Sequence, residues 1–191
     1  MNDACPRLWI ALPLFFGCAG VLNGFLGYLG SGALYLDAHS LYWILHDSCK
    51  ALAAGSALAL GRKGYASIAW ALALGGLNVE AEHGLFQILS ADGGRPDRRF
   101  EAYLGSGAAV AIMVFACRIY LGLRRPGSRR TWALGLVFPI AALLGYGVLT
   151  LTRFPDLSRT PPRMLALWAL EEGALIWAAL GFALRVGEGK K

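Results

Sequence analysis

The chain has 191 residues, enough for one ordinary domain, yet 57% of them are hydrophobic and only 16% are charged, with a mean hydropathy of +0.51. That balance excludes a disordered chain and argues against a water-soluble globule, because the polar residues could not cover so apolar a core. The net charge of +6 does not point to nucleic acid, since the arginines gather between apolar runs, as membrane topology signals do.

A helix needs about 20 apolar residues to cross a hydrocarbon layer of about 30 Å. Six runs meet that length, at roughly 8–30, 41–61, 66–90, 102–123, 131–152 and 164–185. They predict an all-α fold: a single polytopic membrane bundle of about six transmembrane helices. The runs lack the strict alternation of barrel strands. The first run continues past Gly27 without a small-residue cleavage site and is read as a retained helix. Within it Gly20 and Gly24 form a small-residue stripe, expected to pack on another helix of the same chain. Pro139 in the fifth run predicts a kink. Cys5, Cys18, Cys49 and Cys117 show no paired spacing and read as packing residues.

Orientation follows from Lys and Arg in alternate loops. Eleven fall on the side holding Arg7, Arg62, Arg124 and Lys191, and six on the side holding Arg95, Arg153 and Arg163. Both termini are therefore expected in the cytoplasm. On that topology ten of the twelve acidic residues, and His39, His46 and His83, lie from the midplane outward.

Depth sharpens the pattern. At 1.5 Å per residue, His46 and Asp47 lie about 8 Å into the second helix, Lys50 about 14 Å, His83 about 10 Å into the third, and Glu171 and Glu172 about 12 Å into the sixth. His46, Asp47 and Lys50 can share one side of their helix, and Glu80, His83 and Gln87 form a stripe, with Glu82 pointing elsewhere. Each ionised group in the membrane costs about 2.5–3.5 kcal/mol on insertion scales, so such groups should face one another or a watery cavity. The expectation is a polar cavity open to the outside, lined by His46, Asp47, Lys50, Glu80, His83, Gln87, Glu171 and Arg95.

Several chemistries fit those residue types. The cavity could bind a lipid headgroup or a lipid-linked envelope precursor, with Arg95, Arg98 and Arg99 of the third loop forming bidentate contacts to an anion. It could pass an ion or proton along its carboxylates. His46, Glu80 and His83 could instead ligate a metal, with Asp47 or Glu171 as base, in an enzyme acting on a lipid. His46 and His83 could also hold a b-type haem. No complete catalytic constellation is visible, which tips the reading toward binding. Membrane lipids are the expected surroundings, and the Arg-rich, Ala-, Gly- and Leu-heavy composition suggests a bacterial inner membrane.

Asp47 with Lys50, then Glu82 with Gln87, then Gly94-Arg95, Asp97, Glu101 and Gly107 follow one another in an order that resembles the VanZ-like family of small bacterial membrane proteins, over residues 44–110. The resemblance implies a cell-envelope protein, associated in some members with tolerance of glycopeptide antibiotics.

Overall fold

A computed structural model describes residues 6–30, 38–61, 64–89, 100–124, 130–152, 157 and 159–188. The regular elements among them are all helical: α1 (Pro6–Gly30), α2 (Ala38–Leu60), α3 (Gly64–Leu89), α4 (Phe100–Leu123), α5 (Arg130–Leu134), α6 (Val137–Thr152) and α7 (Pro162–Glu188). Five of the expected runs correspond to single helices. The fifth run is interrupted, because Pro139 has no N–H to give the carbonyl of Gly135. Phe138 takes that carbonyl instead, through a tighter turn at 3.2 Å, and the break falls between Leu134 and Val137.

Three helices, Arg7–Gly30, Phe100–Leu123 and Pro162–Gly187, are long and apolar enough to cross a membrane, and Val137–Thr152 is a shorter apolar helix. Helices α2 and α3 match them in length, but their composition is diluted by His46, Asp47, Lys50, Asn78, Glu80, Glu82 and His83. The outside of the bundle is apolar: Ile10, Leu14, Leu77, Phe115, Ile140 and Leu151 all stand exposed. A lipid solvent tolerates such a surface, whereas water does not.

Packing follows chain order, α1 on α2, α2 on α3, α3 on α4, α4 on α6 and α6 on α7, and α7 returns to α1 and closes the ring. Helix α2 also reaches across to α4. Neighbours run antiparallel: Gly20 of α1 lies on Ser48 of α2 while Leu12 lies on Gly55, and on the other side of α1 Phe15 stacks on Phe182 while Leu8 meets Gly187. The interior is built largely from small side chains, among them Ala54, Ala57, Ala71, Ala142 and Ala183, which let backbones approach closely.

Glycine is required where α1 meets α2. A Cβ at Gly20 would stand 2.7 Å from the Cα of Ser48, and one at Gly24 would run into Ile44. The small-residue stripe of α1 is thus occupied by α2 of the same chain, and it draws α1 against the part of α2 that carries the charges.

Candidate functional site

Seven polar side chains from four helices form one buried network. Helix α2 supplies its centre, because His46, Asp47 and Lys50 turn toward three different neighbours. Lys50 Nζ donates to Glu172 Oε1 of α7 at 2.9 Å, with Asp47 Oδ1 3.7 Å away. Asp47 accepts from Asn23 Nδ2 of α1 at 2.7 Å through its other oxygen. On the α3 side, Glu82 accepts from His46 Nδ1 at 3.1 Å and from the amide of Asn78 through the same oxygen. A carboxylate there fixes the proton of His46 on Nδ1. The rings of Tyr42 and Trp43, one turn earlier, flank His46 at 6.3 and 5.7 Å. Tyr146 of α6 completes the enclosure, its ring centre 5.3 Å from Lys50 Nζ.

All these groups belong to one level of the bundle. Counted from the ends where α1, α3 and α6 finish and α2 and α7 begin, they lie roughly 9 to 18 Å in at 1.5 Å per residue. His46, Lys50, Asn78, Glu82 and Glu172 are each exposed by less than one tenth. Carboxylates outnumber cations. Asp47 and Glu172 share Lys50, and Glu171, half-buried beside them, lies within electrostatic reach of Asp47. Glu172 Oε2 and Glu171 Oε1 are buried without a hydrogen-bond partner. Two gaps adjoin Lys50 and Glu172, one edged by Asn23, Asp47 and Gly20, the other by Ala54, Gly145 and Met113. Each has room for roughly one water molecule.

The structure sets Asp47 beside Lys50 but turns His46 to Glu82 of α3, where the spacing allowed all three to share one side of the helix, and the acids also differ from the expectation. Glu172, not Glu171, closes on Lys50; Glu171 is only half-buried. On α3 the inward carboxylate is Glu82, which the spacing argument turned away, while Glu80 is exposed and accepts from the hydroxyl of Tyr103. Residues two apart on a helix lie about 200° apart around its axis, so seating Glu82 against α2 puts Glu80 on the opposite side, toward α4. His83 is buried. Gln87 belongs to α3 but its side chain, like Arg95, Arg98 and Arg99, lies outside the described residues.

The metal reading needs His46, Glu80 and His83 on one centre. His46 Nδ1 is taken by Glu82 and Glu80 faces away. No three His, Cys, Asp or Glu side chains among the described residues are placed to hold a metal ion. Asn23, Asn78 and Tyr146 escaped the sequence reading. Two of them carried a signal: Asn23 lies in the α1 glycine stripe, three residues after Gly20, and Asn78 lies one turn before Glu82.

Compared with models of known families, with curated proteins and with solved structures, the chain finds no match.

Proposed function

We propose that this chain is a six-span protein of the bacterial inner membrane, both termini cytoplasmic, whose buried charge network binds the end of a lipid headgroup or of a lipid-linked envelope precursor entering from the outer leaflet. The observation that carries this reading is the convergence of Asn23, Asp47, Lys50 and Glu172 at one level of the bundle, with two carboxylate oxygens left unpartnered. A bundle held together for its own sake has less costly means than an excess of buried carboxylates. Half-buried Glu171 marks the way in. The gaps beyond it take a terminal group and not a whole headgroup. Arg95, which follows α3 in the sequence and belongs to the resemblance to the VanZ-like family, is a cation suited to a phosphate outside.

Two measurements test this. Reporter fusions after Lys63 and after Asp92 should read cytoplasmic and external respectively; a cytoplasmic signal at Asp92 overturns the orientation. Native mass spectrometry of the protein extracted with its own membrane lipids should show a retained lipid adduct that Glu172→Gln loses. Equal adducts on both proteins contradict a headgroup site at this network. Water-sized gaps beside carboxylates are also what a proton path needs, so Glu172-dependent acidification of proteoliposomes, with no lipid adduct, would establish conduction in place of binding.

A further inference from the structure

Resting on the headgroup reading, the geometry points to the chemical group that the site recognises: we infer that it is a primary ammonium, seated at Glu172 and Glu171 beside Lys50. Three observations lead there. First, the charges do not balance. Asp47 and Glu172 share the single ammonium of Lys50, Glu171 adds a third carboxyl within electrostatic reach of Asp47, and the neighbouring His46 and Glu82 at most cancel each other. A buried excess of negative charge draws a cation, not a phosphate.

Second, the unmet need is for hydrogen-bond donors. Glu172 is more than nine-tenths buried, and its Oε1 is bound to Lys50 while its Oε2 has no partner; Glu171 Oε1 is in the same condition. A primary ammonium brings three donors and one positive charge together. Alkali cations bring charge without donors, and a trimethylammonium group brings charge without N–H and with greater bulk.

Third, the space fits. The gap edged by Asn23, Asp47, Lys50 and Glu172 admits roughly one water molecule, which is the size of an –NH3+ group. The site also already holds one primary ammonium, that of Lys50, by a carboxylate at 2.9 Å and an aromatic ring face at 5.3 Å. Charge-assisted bonds and cation–π contact are the means by which proteins hold such a group. Lys50 is thus a tethered neighbour to the ligand amine, and the ligand supplies what Lys50 leaves unmet.

The experiment measures thermal unfolding of the full chain in neutral detergent at constant pH and ionic strength, titrated with ethanolamine, choline, sodium chloride or glycerol 3-phosphate. Ethanolamine is expected to raise Tm by several degrees and to saturate, while choline and sodium give no more than the ionic-strength control. The apparent affinity should fall at least tenfold in Glu172→Gln and in Glu171→Gln, and stay unchanged in Glu80→Gln. Should Glu172→Gln not fold, Glu171→Gln and Asn23→Ala carry the test, since Glu171 is half-exposed and Asn23 gives Asp47 one hydrogen bond. Equal stabilisation by choline or sodium, or a Tm that follows pH and ignores ethanolamine, overturns the inference. Stabilisation by glycerol 3-phosphate alone, dependent on Glu172, overturns the amine and leaves the headgroup reading standing. Ethanolamine binding with no lipid adduct in mass spectrometry upholds the amine site and makes its ligand a free amine.

Discussion

Lys50 and Arg118, both drawn into this bundle, are treated in opposite ways. Arg118, near the end of α4, meets uncharged oxygens: it donates through Nε to Ser67 Oγ at 2.9 Å and through a terminal nitrogen to the carbonyl of Gly61. Ser67 in turn donates to the carbonyl of Gly64. The bond to Gly61 uses a carbonyl left over where α2 ends, and together these contacts tie the end of α2 and the start of α3 to α4. Gly61 is needed there, since a Cβ would collide with the backbone of Ser67. Lys50, by contrast, sits halfway along α2 among more carboxylates than it can satisfy. The first arrangement closes its own hydrogen bonds and explains itself as architecture. The second leaves acceptors open, and that surplus is the ground for the proposal that something else binds there.

Substitutions can break this contrast or sharpen it. The largest effect is expected from Lys50→Met, which strands Asp47 and Glu172 without their shared cation; removing one member of a buried pair costs about 3–5 kcal/mol, read as a large drop in Tm in detergent. Arg118→Met should cost about 1–3 kcal/mol by leaving Gly61 and Ser67 unmatched, yet ethanolamine should still stabilise the variant; loss of that response would mean that the two regions are one system. Gly20→Ala presses on Ser48 and Ala51 and is expected to cost about 1–3 kcal/mol by overpacking, with weakened ligand response because Gly20 also edges the gap. Asn78→Ala removes a donor to Glu82 and should lower stability by about 1 kcal/mol. The smallest effect belongs to Glu80→Gln, exposed on α3, with a change within about 0.5 kcal/mol.

Much of this was legible in the residues. Hydrophobic length located the helices, and charge scarcity picked out α2, α3 and α7 as the bearers of the network. What escaped was azimuth. Glu171 and Glu172 are adjacent, 100° apart on a helix, and length and depth arguments treat them alike; only the docking of α7 on α6, with Gly173 against Pro139, turns Glu172 inward. The same holds for Glu80 and Glu82. A polar partner one turn away would have decided the second case, because Asn78 and Glu82 lie on one face. The break in the fifth helix was announced by Pro139, but its position two residues earlier depends on which N–H takes over the carbonyl of Gly135. Tyr146, apolar over most of its surface and four residues from the next polar group of its helix, Thr150, carried no signal at all.

The central claim is that the Lys50 network serves a ligand and not the bundle, and the triple variant Asp47→Asn/Lys50→Met/Glu172→Gln tests it most directly. Replacing every member of a buried ionic triad with uncharged groups of similar volume leaves no stranded charge and is often neutral for stability. The triple variant should therefore unfold close to the wild-type Tm while losing ethanolamine stabilisation and the lipid adduct together. A triple variant that is as stable as wild type and still responds fully to ethanolamine would contradict the claim.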